Sequence, residues 1–166
     1  LKTVPERAMS SKFSALLCLA LLSTACSRGP ACETHYRQGL ERYHRRDFAN
    51  AEYLFAKALN ARGSHLPSLL MRGKCFFFQK RYADARSCFE TALRKAASPA
   101  TAQLWLARCD LIAGRELAGA EASLGALTAR DEEHYAAWFL LGQVAEARGQ
   151  PARALECYQR GLVYEN

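Results

Sequence analysis

Apolar and small residues along this chain recur with a long period. Within the stretches RDFANAEYLFAKAL, RYADARSCFETAL, LAGAEASLGAL and QPARALECYQRGL one place is held by Ala51, Ala85, Ala120 and Ala154, at spacings of 34, 35 and 34 residues. Four residues later stand Phe55, Phe89, Leu124 and Tyr158, and three beyond those Ala58, Ala92, Leu127 and Gly161. Offsets of three and four put side chains on one helix face, so each stretch predicts a helix that turns its alanine and the following large residue toward the same neighbour. Upstream, Gly39, Gly73, Ala107 and Gly142 form a second small-residue series, at spacings of 34, 34 and 35. They predict a first helix that the second crosses closely. Between the two lie turn signals at Arg46–Asp47, Lys80–Arg81, Gly114 and Gly149–Gln150, and breakers at Gly63–Ser64 with Pro67, Ser98–Pro99 and Asp131–Glu132 separate the units. The chain therefore reads as four helical hairpins. One hairpin cannot bury its apolar face alone, but stacked copies share a continuous core.

These residues resemble the tetratricopeptide repeat (TPR), whose pattern is a large residue, Leu-Gly, an aromatic, then Ala, an aromatic and Ala. The last unit carries Trp138, Leu141, Gly142, Gly149, Ala154 and Tyr158; the first Gly39, Phe48, Ala51, Phe55 and Ala58; the second Gly73, Phe76, Tyr82, Ala85, Phe89 and Ala92. The third departs most, with Ala107 for glycine, Leu124 for the aromatic, Leu127 for alanine and one extra residue between its helices. The resemblance spans about Cys32–Tyr164 and implies an all-α fold, a TPR-type α-solenoid of about four hairpins in a right-handed superhelix. Its repeats would run about 32–65, 66–99, 100–134 and 135–166.

In such an array the first helices line a concave groove. The resemblance assigns to it Tyr36, Leu40, Tyr43 and His44; Leu70, Lys74, Phe77 and Phe78; Leu104, Arg108, Leu111 and Ile112; and Phe139, Gln143 and Glu146. This groove is apolar, with Lys74 and Arg108 as isolated charges. A large exposed apolar surface marks a contact site, so it implies a protein or peptide partner, an amphipathic helix or an extended apolar segment. Packing of some of these side chains between neighbouring helices is the other use of such residues. In the run Cys75–Phe78 four consecutive helical residues cover every face, so some must point outward. Chaperone-binding TPR domains clamp a C-terminal carboxylate with Lys and Asn on first-helix faces, whereas the first unit here has Tyr36 and Leu40, which excludes that clamp. At the other end Leu155, Leu162 and Val163 flank the last apolar face, where a partner, a second copy (a homodimer through the C-terminal hairpin) or further repeats would be needed.

Ahead of the repeats the order changes. From Met9 the chain carries Lys12, the apolar run Phe13–Leu22, then Ser23, Thr24 and Ala25 before Cys26: basic, apolar, small, as in a secretory signal. The run has ten residues, short of the roughly 20 that a spanning helix needs. Small residues ending at a cysteine resemble the lipobox of bacterial lipoproteins, although Ser23 stands where that family favours leucine. The resemblance implies lipidation at Cys26, removal of residues 1–25 (upstream extension and signal peptide), a lipidated tether over 26–31 and a TPR domain over 32–166; a plain cleaved signal, an uncleaved anchor, or a soluble TPR adaptor whose apolar run packs in the groove are the alternatives. In the Gram-negative lipoprotein family an aspartate after the cysteine favours inner-membrane retention, so by the same resemblance Ser27 implies the outer membrane. A lipobox followed by a short TPR array is similar in plan to the TPR lipoproteins of type IV and Tad pilus systems.

Composition adds limits. The 166 residues carry 23 Lys+Arg and 16 Asp+Glu, and 50% are hydrophobic. Cys26–Ala97 holds fourteen basic and six acidic residues, Ser98–Asn166 six and nine, so the basic excess lies in the first half. That half suits acidic lipid headgroups or an acidic partner, or is simply a solvated helical surface; the scattered bases bring no nucleic-acid-reading motif. Of the seven cysteines, Cys18 would leave with the signal and Cys26 would carry lipid. The remaining five, Cys32, Cys75, Cys88, Cys109 and Cys157, contain no CxxC pair and no zinc spacing. Cys75 and Cys109 hold equivalent places and read as core filling, with a mutual disulfide as the alternative. His35, His44, His65 and His134 are dispersed, and Asp131–Glu133 read as acids that begin a helix rather than as metal ligands. With no phosphate loop, HExxH or GxSxG, the sequence predicts no enzyme, cofactor, metal site or catalytic residue.

Overall fold

The computed structural model describes residues 29–95 and 99–165. The signal-like segment and Cys26 lie outside these residues. The described residues form eight helices: α1 over 29–44, α2 (Phe48–Ala61), α3 (Leu66–Phe78), α4 (Tyr82–Lys95), α5 (Ala100–Ala113), α6 (Leu117–Arg130), α7 (Tyr135–Ala147) and α8 (Pro151–Val163). They pair as hairpins, α1–α2, α3–α4, α5–α6 and α7–α8. Residues 29–31, assigned to a tether, already belong to α1, where Thr34 Oγ1 donates to the Pro30 carbonyl (2.9 Å).

Every hairpin turn is built the same way. Arg46, Lys80, Gly114 and Gly149 all adopt the left-handed region, with φ of 60, 61, 61 and 73°. The next N–H in each case reaches back five residues: Asp47 to Arg42 O, Arg81 to Phe76 O, Arg115 to Asp110 O and Gln150 to Ala145 O, at 2.9–3.1 Å. This is the Schellman closure of a helix C-terminus. In units one, two and four the next helix starts at once. In the third, the extra residue is absorbed by a second left-handed residue, Glu116 (φ 55°), which precedes α6 without a side-chain cap.

Within a hairpin the small-residue series does what its spacing predicts. A Cβ built on Gly39 would lie 2.6 Å from Phe55 Cε1, and one on Gly73 2.7 Å from Phe89 Cε1; on Gly142 it would strike the Tyr158 ring. Each glycine thus supplies the hollow into which the large residue of the second helix drops. Ala51, Ala85, Ala120 and Ala154, with Phe55, Phe89 and Leu124, are buried, while Tyr158 is half-buried with its hydroxyl on Glu146 Oε2 (2.9 Å). Unit three exchanges both partners together: Ala107 replaces the glycine and the shorter Leu124 the aromatic, and both lie in one cluster.

Between hairpins, each core is completed by the first helix of the next unit. Cys75 of α3 joins Ala51 and Phe55; Ala102 and Cys109 of α5 join Ala85 and Phe89; Leu140, Leu141 and Val144 of α7 join Ala120 and Leu124. Cys75, Cys109 and Val144 occupy equivalent places at 0, 2 and 0% exposure, which identifies the need there as a compact apolar group. All five described cysteines are free and buried, the Cys75–Cys109 pair included. Burial pushes the Cys75 thiol up to about 12 and those of Cys88 and Cys109 up to about 11. Four ion pairs on buried or half-buried carboxylates link neighbouring helices: Arg72–Glu52, Arg86–Asp110, and Glu121 with both Arg148 and Arg153. The acids Asp131–Glu133, expected to open α7, precede it instead: Asp131 closes α6, His134 is the N-cap of α7, and its first turn carries no acid. Trp138 Nε1 donates to the Glu132 carbonyl (2.8 Å) and pins that connection.

The first helices also touch one another, α3 on α5 and α5 on α7, whereas among the described residues no comparable contact joins α2 to α4, α4 to α6 or α6 to α8. A row of helices packed more closely along one side curves toward that side. The first helices therefore form the concave face of a short α-solenoid.

Candidate functional site

The concave face is organised around Trp105 of α5. Its ring lies 5.1 Å from Phe77 and 5.8 Å from Phe78 of α3, edge to face in both cases, and 6.1 Å from the core ring of Phe89, nearly parallel. Phe78 stacks on Phe48 at 4.9 Å, and Tyr43 of α1 packs edge-on against both. One aromatic chain thus runs across the first three hairpins. Such pairs contribute roughly 0.5–1.5 kcal/mol each beyond their burial, which holds the surface in one shape before anything binds.

Two hollows open onto this chain. One, of about 320 Å³, is lined almost wholly by apolar atoms of Phe77, Phe78, Trp105, Leu111 and Ile112, with Arg108 and Gln143 at its rim. The other, about 350 Å³, lies between α1 and α3 and is lined by Tyr43, His44, Arg46, Phe48 and Phe78. Phe78 belongs to both and is 45% exposed; Ile112 is 51% exposed.

The residues assigned to the groove divide accordingly. Phe78, Arg108 and Ile112 are exposed on it, and Lys74, Phe77 and Leu111 are half-buried beside them. Leu70 and Leu104 pack against the cores of units two and three. Tyr36, Leu40 and Tyr43 pack against the first core, Tyr36 meeting Phe55 at 5.8 Å and His65 at 5.0 Å. Phe139 is half-buried against Tyr158 (5.8 Å), and its ring lies where a Cβ on Gly161 would fall. Glu146 is engaged by Tyr158. The groove's apolar surface therefore concentrates on α3 and α5. Sequence reasoning missed Trp105, whose signal was available: it stands three residues before Arg108 and seven before Ile112, on the same helical face.

The cations beside Trp105 in the groove are Lys74 and Arg108. Both lie over the Trp105 ring, with Lys74 Nζ at 5.5 Å and the Arg108 guanidinium carbon at 4.7 Å from its centroid. Burial, together with the neighbouring Arg108 charge, holds the Lys74 ammonium below its ordinary pKa. Among the described residues, no group of three or more His, Cys, Asp and Glu side chains is placed to hold a metal ion. No helix there is long and apolar enough to cross a membrane.

Comparison with known proteins agrees with this architecture. The tetratricopeptide repeat family matches residues 70–116 and 109–163. Among solved structures, the chain is similar to the MamA protein, at 21% identity and a TM-score of 0.72 over 82% of this chain and 74% of that one. It is similar to MamA from Desulfovibrio magneticus RS-1 as well, at 16% identity and a TM-score of 0.73 over 81% and 76%. The TPR2B domain of yeast Sti1, solved as its pHsp70 complex, aligns at 18% identity with a TM-score of 0.56 over 80% and 97%. At these identities the likeness is one of fold. No curated protein matches the chain significantly in sequence.

Proposed function

Since the chain belongs to the tetratricopeptide repeat family, we propose that it is a protein-interaction scaffold, anchored at a membrane by lipid on Cys26, that receives a partner helix or apolar peptide in its concave groove. The observation that carries the binding reading is the exposed surface of Phe78 and Ile112 beside half-buried Trp105, around an apolar hollow. An exposed surface of this kind costs solubility unless something covers it. The helix-in-groove mode suits it, because large apolar side chains of a partner would fill hollows that share Phe78 as a wall. The TPR2B domain of Sti1 was solved as a pHsp70 complex, and binding in a groove of this fold is the role proposed for this chain. The order basic–apolar–small–Cys26 supports a bacterial envelope address, with the signal removed and the repeats facing the periplasm from the outer membrane. The plan of lipobox plus short array fits a part in pilus or secretion assembly.

A second reading has its own observation. Leu155, Leu162 and Val163 of α8 are 59, 55 and 70% exposed, which favours self-association through the last hairpin. Intact mass and membrane fractionation of the chain beside Cys26→Ser tests the anchor: an acylated, membrane-bound chain starting at Cys26, with an unprocessed variant, is the expected result. A soluble chain keeping residues before Cys26 refutes it. A photocrosslinking residue at Ile112 is expected to capture a partner protein, and one at Leu155 to report self-association. Crosslinks to the chain itself at Leu155 and to nothing at Ile112 would leave only the second reading.

A further inference from the structure

The basic side chains that the solenoid draws toward its core are matched by carboxylates. Half-buried Arg72 is met by Glu52 at 2.6 Å; half-buried Arg86 is met by Glu90 at 2.8 Å and by buried Asp110; Arg148 and Arg153 share buried Glu121. Lys74 is equally half-buried, yet among the described residues neither it nor Arg108 pairs with any carboxylate. The two like charges instead both lie over one indole, Trp105. A cation–π contact stabilises by about 0.5–2 kcal/mol and leaves the charge in place. Two cations beside an apolar wall therefore concentrate positive potential where water is already partly excluded, and there an anionic group gains most. Arg108 also lines the apolar hollow with Trp105, Leu111 and Ile112, so an anion held by the pair would lie beside whatever fills that hollow.

We propose that the groove selects a helical protein segment which places an aspartate or glutamate side chain at Lys74 and Arg108 while large apolar residues within about one turn of it enter the hollow beside Trp105. This rests on the groove reading and adds its specificity. The acid is internal to the partner segment. The first-unit positions that would hold a chain terminus are Tyr36 and Leu40, and both pack on the core. Apolar filling supplies adhesion, and the acid fixes register, because only one placement along the helix neutralises both cations.

The test selects 16-residue random peptides, displayed with their C-termini fused so that no terminal carboxylate is offered, on the full chain in detergent. The strongest are then made as amidated peptides and titrated by fluorescence anisotropy. Enriched peptides are expected to carry an acid within four residues of two large apolar side chains. Changing that acid to its amide should weaken binding at least tenfold on the wild-type chain. On Lys74→Met with Arg108→Met, acid and amide peptides should bind alike. The peptide change leaves the fold of the chain untouched, so the comparison stands even if the double variant folds poorly. Peptides that lose binding to Ile112→Ser but show no acid preference would overturn this inference and leave the groove reading intact. A tenfold preference that survives in a folded double variant would overturn it as well, by placing the acid elsewhere. Enrichment of no peptide sensitive to Ile112→Ser would remove the groove reading and this inference together.

Discussion

The closest test of the packing logic is Gly73→Ala. In a helix this change normally stabilises by about 0.5–1 kcal/mol, since alanine restricts the unfolded chain. Here the new methyl would lie 2.7 and 2.8 Å from two carbons of the Phe89 ring and 3.1 Å from Cys88 Cβ. Carbon atoms prefer about 3.5–4.0 Å, so the ring must withdraw by nearly 1 Å. Phe89 is fully buried and backed by Trp105 in a near-parallel stack, so it has no free direction. Overpacking of this kind costs about 1–3 kcal/mol. Taking about 2.5 kcal/mol against a gain near 1 leaves a net loss of about 1.5 kcal/mol, roughly a 5 °C fall in Tm for a domain of this size.

Unit three supplies the compensating change, Ala107 with Leu124 in place of glycine and aromatic. Phe89→Leu alone should cost about 1–2 kcal/mol through the space it vacates. The double variant should be no less stable than Phe89→Leu by itself, because the methyl now fills that space. Urea unfolding of the four proteins gives the cycle, and the coupling should reach at least about 1 kcal/mol. Gly125→Ala, where a Cβ meets nothing within 4 Å, is the control and should gain about 0.5–1 kcal/mol. A stabilised Gly73→Ala, or a cycle additive to within about 0.3 kcal/mol, would refute the close-crossing argument.

Other consequences follow from the turns, the caps and the thiols. Arg46 and Lys80 hold the left-handed place that glycine takes in units three and four, so Arg46→Gly and Lys80→Gly should each stabilise by up to about 1 kcal/mol, the relieved strain exceeding the added chain entropy; a loss in urea unfolding counts against this. His65 caps α3, its Nδ1 accepting from the Ser68 N–H at 3.3 Å, and burial holds its pKa below the ordinary histidine value. The folded state then binds fewer protons than the unfolded one, so stability should fall as pH drops below about 6.5. Equal slopes for wild type and His65→Asn between about pH 7.5 and 5.5 would contradict it. With all five described thiols buried and free, and Cys75, Cys88 and Cys109 pushed up to about 12, 11 and 11, a thiol reagent at neutral pH should label none of the five in the native chain and all of them in denaturant; rapid native labelling of Cys88 would show that the second core opens.

The hairpins were legible in the sequence because their cause is local and repeated. Gly39 with Phe55 and Gly73 with Phe89 are fixed by one close crossing, and the same steric requirement recurs every 34 or 35 residues. The turns were legible as turns, while their common left-handed residue was masked, since Arg46 and Lys80 carry no sign of positive φ. The acids before Tyr135 misled because charge near a helix start looks the same whether it lies in the first turn or one residue outside it. Groove membership was the weakest reading. A first-helix position such as Leu40 or Leu104 can face the groove and still be taken up by its own unit's core, and only the tilt of neighbouring helices decides which side claims it.

Trp105 shows what periodicity cannot supply. Its place on α5 follows from Arg108 and Ile112, but its role comes from Phe77 and Phe78, twenty-eight and twenty-seven residues away on α3, and from Phe89 behind it. The ring touches both the second core and the cations Lys74 and Arg108. It thereby joins the residue that fills the Gly73 hollow to the surface proposed to meet a partner. A ring displaced by Gly73→Ala has to press on Trp105, and through it on Lys74 and Arg108. The stability variant is therefore also a binding variant: Gly73→Ala should weaken capture of groove peptides, and Phe89→Leu in the same chain should restore both properties together. Stability rescued without binding would mean that Trp105 is only core, and that the partner surface lies on another face.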